Sequence, residues 1–394
     1  MQWMATAPFA TLGWWKILLL LWQTRALQLW HHVLGPVVVL PGERLPSSDR
    51  AVVLRAVATD RAGRSHRVVL KALIGSGLGG AREEAALGLV AAVQVPGVVR
   101  LLATSTDPAL LVLADIGDGP TLADRLLADD PVAAETAVLK WAARLAGLQA
   151  ATGGMQEEFA SRLTALSPLG APLVDTSREA VAEACAALAR DLPRLGVPVT
   201  TEALEELREL AVTLDVTAPG APGALVPGDT CPSNAVDSDN GMVLLDFEAA
   251  EYRHLAWEAA YLTVPWPSCW CSWRLPDSLA ARALTRWQQT VAPAFPMVST
   301  PSFQDDLVRA TLGWVFISTG WFLAAALDGD PPPPDPARRH LMPTRRALLQ
   351  HRLLLAAQQE TALLPALREL ADQTLTATLR QWGTHPLPLA RAFQ

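Results

Sequence analysis

The residues with the clearest chemical potential lie between positions 227 and 248. Asp229 is followed five positions later by Asn234, and twelve positions after that by Asp246, which ends an apolar run. The turn-forming stretch 237–241 separates the two pieces, so the segment is predicted to fold as a hairpin that brings the three side chains to one end of two strands. A carboxylate that accepts a hydroxyl proton, with an amide and a carboxylate that hold Mg²⁺ on phosphates, is what phosphoryl transfer from a nucleotide requires.

This compound pattern is far more specific than a lone Asp-x4-Asn, which often marks only a surface turn. It resembles the catalytic segment of the aminoglycoside phosphotransferase-like kinases. That segment reads His-Gly-Asp, four residues, Asn, a short hairpin, and Asp-Phe or Asp-Trp with an acidic residue. The resemblance implies that Asp229 orients the substrate hydroxyl and accepts its proton, and that Asn234 and Asp246 bind Mg²⁺. A protein kinase is disfavoured, because Asp246-Phe247 is followed by Glu248 and no activation segment is evident.

One position departs from the family pattern, because Pro227 stands where the family has histidine. The proline removes an imidazole that usually bonds nearby backbone, although its fixed φ stiffens the loop. This departure motivates an alternative function. In that alternative the protein is a catalytically retired kinase-fold protein that acts as a nucleotide-responsive binding or scaffold module.

Lysine is rare in this chain, which makes the position of one lysine informative. The sequence has 32 Lys plus Arg, but only Lys16, Lys71 and Lys140 are lysines. Lys71 lies in the strand-like run Arg67–Leu73, and its compact ammonium can reach phosphates as a point charge, which a planar guanidinium cannot. The resemblance implies that Lys71 steadies the nucleotide phosphates, although an ordinary strand-edge lysine is the alternative.

The family also requires a glutamate on the helix that follows this strand. The segment Ala81–Leu87 is predicted to open that helix, and Glu84 is predicted to point back at Lys71. Glu83 is its competitor and is assigned to a solvated helix face. Such a pair would fix the lysine rotamer rather than add much stability, because exposed ion pairs contribute only about 0–1 kcal/mol.

Size, charge and cysteine content limit the possible classes of protein. A chain of 394 residues exceeds the size at which one hydrophobic core keeps growing, so two lobes are expected. A net charge of −7 argues against nucleic acid as a partner. The four cysteines show no disulfide framework, and Cys269-Trp270-Cys271 lacks the second Cys/His pair that a metal site would need. A reducing cytoplasm is the expected compartment.

The N-terminal residues 1–35 are predicted to form an apolar extension outside the main fold. The uncharged run after Lys16 covers only about eight residues, whereas a membrane-spanning helix takes roughly 20. A small-residue cleavage site is also missing, which argues against a secretory signal. A weakly packed extension is favoured, and contact with a membrane surface is the disfavoured alternative.

The order of predicted elements indicates an α+β, protein-kinase-like bilobal fold. Residues 36–117 are predicted to form a small N-lobe with a five-stranded antiparallel sheet that ends in the inter-lobe hinge. Residues 118–394 are predicted to form a large helical C-lobe that contains the catalytic hairpin, because beyond about Pro131 the apolar period changes to 3.6. Thr176 is expected to open a capping box, and Ser302 an acidic first turn. The main helices are predicted near 132–151, 178–193, 202–214, 277–291, 303–327 and 343–382.

The resemblance implies a kinase that uses ATP (or GTP) and Mg²⁺. Its partner is expected to be a small molecule with a hydroxyl group, such as an aminoglycoside-like, amino-alcohol or sugar-like acceptor. Glu258 is expected to brace the catalytic segment. The aromatic residues of the helical part are predicted to be mostly core residues; they are Trp257, Tyr261, Trp266, Trp270, Trp273, Trp287, Trp314 and Trp321.

Overall fold

The computed structural model describes most of the chain from residue 38 onward. The described ranges are 38–45, 51–59, 62–73, 78–106, 109–167, 170, 172–217, 220–239, 241–264, 266–331, 340–359 and 361–394. The predicted N-terminal extension, residues 1–35, therefore lies outside the described residues.

The N-terminal part of the described chain forms a five-stranded antiparallel sheet, as the sequence predicts. Its strands pair in the order β1-β2-β3-β5-β4. A helix, α1 (Leu78–Ala92), connects β3 to β4. The strands are β1 (Val38–Leu45), β2 (Ala51–Thr59), β3 (Ser65–Leu73), β4 (Leu101–Thr106) and β5 (Ala109–Ala114).

The alternation of side chains along β3 decides on which face of the sheet Lys71 lies. Val68, Leu70 and Ala72 are buried in a small apolar cluster on one face of the sheet. Because successive strand side chains point to opposite faces, Lys71 lies on the other face with Val69 and Leu73. Those two neighbours pack against the main core, which also contains α1 residues, so Lys71 lies between the sheet and α1.

The rest of the described chain is mainly helical and contains two short two-stranded sheets. Strands β6 and β9 pair with each other, as do β7 and β8, all antiparallel. The short strands are β6 (Gly223–Val226), β7 (Ala235–Ser238), β8 (Gly241–Leu244) and β9 (Glu251–His254). The helices are α2 (Leu122–Leu127), α3 (Pro131–Thr152), α4 (Gln156–Leu166), α5 (Ser177–Asp191), α6 (Thr201–Thr213), α7 (Leu255–Ala259), α8 (Asp277–Val291), α9 (Pro301–Leu327), α10 (Arg345–Ala357) and α11 (Pro365–Trp382). Together with the sheet, this confirms the predicted α+β, kinase-like fold class.

One predicted helix is wrong in detail, and one observed helix was not predicted. The segment predicted as one helix near 343–382 is two helices, α10 and α11. Pro365 begins α11, and Leu364 before it has a φ of 50°. Proline disfavours helical backbone at the preceding residue, which accounts for the break. The helix α4 was not predicted, and only Phe159 and Leu163 of its residues are buried, so its apolar period is short.

The expected helix starts at Thr176 and Ser302 also differ from the structure. Thr176 does precede α5, but its side chain makes no cap bond and instead donates to Glu251 Oε1 at 2.6 Å. α9 begins earlier than predicted, at Pro301, where Thr300 accepts a hydrogen bond from the Phe303 amide. Its first turn contains no acidic residue. The contact with Glu251 accounts for the missing cap before α5. The proline at the first helical position accounts for the earlier start of α9.

The core of the helical region is aromatic, as predicted. Six of the eight aromatic residues singled out in the sequence are buried, whereas Trp321 is 42% exposed.

Among the described residues, only α9 is long and apolar enough to cross a membrane by length and composition. In its most apolar window 67% of the residues are buried inside the protein, which is also typical of a core helix.

Candidate active site

Lys71 connects the sheet to the predicted catalytic hairpin. Its Nζ donates to Glu83 Oε2 at 2.7 Å and to Asp246 Oδ1 at 2.6 Å. Glu248 Oε2 lies 3.5 Å from the same nitrogen. Lys71 itself is only 6% exposed. One buried ammonium therefore contacts carboxylates from α1 and from the segment after β8.

The expectation that Glu84 would pair with Lys71 is wrong, because Glu83 occupies that position. Glu84 Oε1 instead accepts a hydrogen bond from Thr104 Oγ1, at 2.9 Å. The helix geometry explains the difference: Glu83 lies four and seven residues before Leu87 and Val90, which are both buried in the core. Leu89 is buried as well, so the apolar positions of the helix do not by themselves separate Glu83 from Glu84 in the sequence.

The site holds its charges in a buried environment that shifts their pKa values. Burial by itself favours loss of the Lys71 proton, but the Asp246 and Glu83 carboxylates outweigh it and raise the pKa of Lys71. Burial also raises the pKa of Glu83, against the opposing effect of Lys71. Among the described residues, Glu83 Oε1 is buried without a hydrogen-bond partner. Lys71 therefore keeps its proton, whereas the Glu83 carboxyl group is buried away from water.

The hairpin brings Asn234 and Asp246 to the same end of two strands, as predicted. Ala235 pairs with Leu244 in the β7–β8 register, and the Leu245 amide donates to the Asn234 carbonyl at 2.8 Å. Asp246 follows with a φ of 60°, in the left-handed region, and its side chain is 38% exposed. Non-glycine residues rarely adopt this backbone conformation, and those that do often lie at functional sites.

Asp229 lies on the loop 227–234 that precedes the hairpin. The Asn234 side-chain amide donates to the Asp229 carbonyl at 3.1 Å, which fixes the loop against the hairpin. Asp229 Oδ1 accepts a hydrogen bond from Ser268 Oγ at 3.0 Å, and Ser268 in turn contacts the Tyr261 hydroxyl at 2.9 Å. Burial raises the pKa of Tyr261, so its hydroxyl keeps its proton and can donate. No sequence motif pointed to Ser268 or Tyr261, which lie more than 30 positions from Asp229.

Tertiary contacts hold this loop although Pro227 replaces the family histidine. Gly228 has a φ of 80°, and a Cβ there would lie 1.8 Å from the Ala249 carbonyl oxygen. Thr230 Oγ1 donates to Glu258 Oε2 at 3.2 Å, so Glu258 braces the segment as expected. Burial raises the pKa of Glu258 to about 7, which the nearby Arg253 guanidinium opposes.

The sequence reasoning also missed an arginine that links α1 to the hairpin. Arg82, which directly precedes Glu83, is 7% exposed. It donates to the Ala250 carbonyl at 2.8 Å and to the Leu173 carbonyl at 2.7 Å. These bonds fix the helix that carries Glu83 relative to the chain that follows Asp246.

The cysteines differ from the expectation that they form no disulfide. Cys231, on the loop, is joined to Cys269 by a disulfide bond, with the two Cα atoms 5.4 Å apart. Cys271 Sγ lies 3.8 Å from Cys231 Sγ. The spacing in the sequence could not show this pairing, because the two bonded residues are 38 positions apart.

The donor set at the hairpin fits a divalent cation with oxygen ligands. Asn234 offers an amide oxygen and Asp246 a carboxylate, which are ligands that Mg²⁺ accepts. The charge balance also fits, since the one Lys71 ammonium faces three carboxylates within 3.5 Å. The excess negative charge would be offset by a bound cation.

Comparisons with known proteins found similar chains among solved structures. No family model matches the sequence, and no curated protein sequence matches it either. The structure is similar to a choline/ethanolamine kinase family protein from Mesorhizobium loti, with 16% identity, a TM-score of 0.48, and coverage of 86% of this chain and 93% of that one. It is also similar to a macrolide 2'-phosphotransferase from Brachybacterium faecium, with 17% identity, a TM-score of 0.44, and coverage of 85% and 98%.

A third similar structure is an amicoumacin kinase in complex with AMP-PNP and Ca²⁺. It has 11% identity and a TM-score of 0.47, and the match covers 96% of this chain and 98% of that one. All three of these proteins are described as kinases or phosphotransferases. At such low identity the likeness alone does not assign a substrate, so the function must be argued from the site.

Proposed function

We propose that the protein is a phosphotransferase that moves the γ-phosphate of ATP (or GTP) to a hydroxyl group of a small molecule. The observation that carries this proposal is the contact of Lys71 with both Glu83 and Asp246. A lysine from the sheet, a glutamate from the next helix and an aspartate after a hairpin form the phosphate- and metal-binding set of kinase-like enzymes.

In the proposed reaction, Lys71 neutralises charge on the nucleotide phosphates and Glu83 fixes its rotamer. Asn234 and Asp246 would hold Mg²⁺, which supplies charge neutralisation on the β- and γ-phosphates when bound. To reach the phosphates, the Lys71 ammonium would give up part of its contact with Asp246. Positioning and electrostatic stabilisation supply most of the rate enhancement in such reactions.

Asp229 is proposed as the group that orients the acceptor hydroxyl and takes its proton. Its Oδ1 is bound by Ser268, so the Tyr261–Ser268 pair sets the direction of the carboxylate. We include Ser268 and Tyr261 in the proposed site as positioning residues, because they act through Asp229.

The bracing of the loop favours an active enzyme over the retired-kinase alternative. Thr230 and Asn234 each make a hydrogen bond that holds the loop, and Gly228 allows close approach to Ala249, so the loop is held without a histidine at position 227. The proposal also includes a division into lobes near residue 117 and an acceptor of the aminoglycoside-like, amino-alcohol or sugar-like class.

The proposal is tested with Asp229→Asn, which keeps the size of the side chain but removes its ability to accept a proton. We expect the rate of phosphate transfer across a panel of small alcohols to fall by about 10²–10⁴-fold, while nucleotide binding is retained. Asp372→Asn makes the same change at an exposed position of α11 and serves as the control. Unchanged transfer by Asp229→Asn would contradict the role of Asp229.

A further inference from the structure

Three cysteine sulfur atoms lie close together at the proposed catalytic loop, and one of them belongs to the loop. Cys231, Cys269 and Cys271 are 3%, 8% and 0% exposed, and their sulfur atoms all lie within 4.8 Å of one another. The disulfide joins Cys231 to Cys269, and Cys271 keeps its thiol. Since the bond uses two of the three sulfur atoms, too few thiolates remain for a thiolate metal site.

The disulfide ties together the two segments that meet at Asp229. Cys231 lies two residues after Asp229, and Cys269 directly follows Ser268. Ser268 Oγ donates to Asp229 Oδ1 at 3.0 Å. The disulfide and this hydrogen bond therefore link the same two segments of chain. Within each segment, the residues that form the two links are only one or two positions apart.

We propose that Cys231, Cys269 and Cys271 form a thiol–disulfide exchange site. Cys271 Sγ is 3.8 Å from Cys231 Sγ, close enough to be the internal attacking group. In the exchange, the Cys271 thiolate attacks Cys231 Sγ, the bond between Cys231 and Cys269 breaks, and a bond between Cys231 and Cys271 forms. The proton lost by Cys271 is balanced by the proton taken up by Cys269, and no electrons are gained or lost.

The same site would be reduced by a small dithiol. Cys269 is the most exposed of the three residues, at 8%, and follows the exposed Ser268, so we expect a reductant to attack at Cys269 first. The dithiol gives two electrons and two protons to the protein disulfide and leaves as a cyclic disulfide. Both protein sulfur atoms then become thiols, and the loop loses its covalent link to the segment of Ser268.

The consequence for catalysis rests on the proposed function, whereas the exchange site itself does not. Without the covalent link, the positions of Asp229 and Ser268 depend on weaker contacts such as their hydrogen bond. Because small displacements of a catalytic group lower the rate strongly, reduction is expected to slow phosphate transfer.

The exchange site is tested by mapping disulfides in the full chain. The protein is oxidised with glutathione disulfide, which takes two electrons and two protons from each pair of thiols that becomes a protein disulfide. It is then blocked with iodoacetamide under native conditions, digested without reductant and examined by mass spectrometry. We expect a crosslink between Cys231 and Cys269 in the wild type, and between Cys231 and Cys271 in Cys269→Ser. Cys185→Ser, at a cysteine of α5 outside the cluster, should keep the wild-type crosslink. Alkylation of all four cysteines in oxidised wild type, or of Cys231 in Cys269→Ser, would overturn the proposal.

The link to catalysis is tested by measuring phosphate transfer before and after treatment with dithiothreitol. We expect the wild-type rate to fall by at least about threefold, and Cys231→Ser to show no dependence on dithiothreitol. A crosslink without any change in rate would overturn the catalytic consequence and leave the exchange site intact. An absence of transfer in both states would contradict the proposed function, while the crosslink map would still decide the exchange site.

Discussion

At the scale of single residues, the buried ammonium of Lys71 organises the site. It contacts Glu83 and Asp246 at hydrogen-bond distance, with Glu248 slightly farther away. Removing Lys71 would leave buried carboxylates without a counter-charge, which costs far more than losing an exposed pair. Replacing Glu83 and Glu84 separately tests which of the two acts through Lys71.

We predict that Glu83→Gln lowers kcat by about 10–100-fold, because Lys71 loses the group that fixes its rotamer. Glu84→Gln is the matched control on the adjacent residue, and it should change kcat by less than about threefold. The measurement is steady-state phosphate transfer by both variants under the same conditions. A larger effect of Glu84→Gln would contradict the assignment of Glu83.

Sequence reasoning predicted some of these residues and missed others for physical reasons. Asp229, Asn234 and Asp246 lie in one local pattern whose spacing fixes a hairpin, so their approach to one another could be predicted. The choice between Glu83 and Glu84 depended on helix phase, which a helix of almost uniformly apolar residues specifies poorly. Ser268 meets Asp229 through tertiary packing across 39 positions, and no local pattern encodes such a contact.

At the scale of elements, the loop before the hairpin depends on close approach of two backbone segments. Gly228 has a φ of 80°, and an added Cβ would meet the Ala249 carbonyl oxygen at 1.8 Å. Backbone cannot yield as a flexible side chain can, so the loop would have to move. Glycine is therefore required here by both conformation and space.

We predict that Gly228→Ala lowers the free energy of unfolding by about 2–4 kcal/mol, from unfavourable φ together with overpacking. Gly196→Ala is the control, since Gly196 has a φ of 72° with nothing within 4 Å of an added Cβ. It should cost only about 1–2 kcal/mol, the conformational part. Urea denaturation measures both, and equal losses would show that the contact with Ala249 does not limit the loop.

The junction of β9 and α7 carries a buried histidine whose titration should affect stability. Burial lowers the pKa of His254 to about 4, although Asp306 Oδ2 lies 3.8 Å from its Nε2. His254 Nδ1 accepts a hydrogen bond from the Ala256 amide, which requires an unprotonated nitrogen. Below the ordinary histidine pKa of 6.5, the unfolded chain binds a proton that the folded protein excludes. The stability contributed by the neutral ring is thus present above about pH 6.5 and is lost as pH falls toward 4.

We predict that wild-type stability falls relative to His254→Asn by about 2 kcal/mol between pH 7 and pH 5. Asparagine keeps a hydrogen-bond acceptor at the start of α7 but does not titrate. The difference between the two proteins cancels the titration of the buried carboxyl groups that they share. Parallel stability curves for the two proteins would contradict a depressed pKa for His254.

At the scale of the whole molecule, the sheet and the helical region are joined through the site. Lys71 belongs to β3, whereas Asp246 follows β8 in the other part of the fold. Arg82 adds two hydrogen bonds from α1 to carbonyl groups of the helical region. A nucleotide that binds Lys71 and the hairpin together would therefore stabilise both parts of the fold.

The predictability of the fold also differs with scale. The order of five strands before the helices follows from local apolar periods, so the architecture could be predicted from the sequence. The disulfide and the division of the last predicted helix into α10 and α11 could not be predicted as easily. The disulfide depends on packing between segments that are distant in the sequence. The apolar period continues through the region before Pro365, so the sequence pattern did not indicate the break between the two helices.

The most direct test of the proposed site is nucleotide-dependent thermal stabilisation with and without Mg²⁺. The proteins compared are the wild type, Lys71→Ala, Asp246→Ala and the control Glu84→Gln, each against its own nucleotide-free Tm. At about 100 times its Kd, a nucleotide should stabilise the folded protein by about 2.7 kcal/mol. We predict a Mg²⁺-dependent rise in Tm for the wild type and Glu84→Gln that is lost in Lys71→Ala and Asp246→Ala. No rise with ATP or GTP in the wild type, or an undiminished rise in the two site variants, would contradict the proposed nucleotide site.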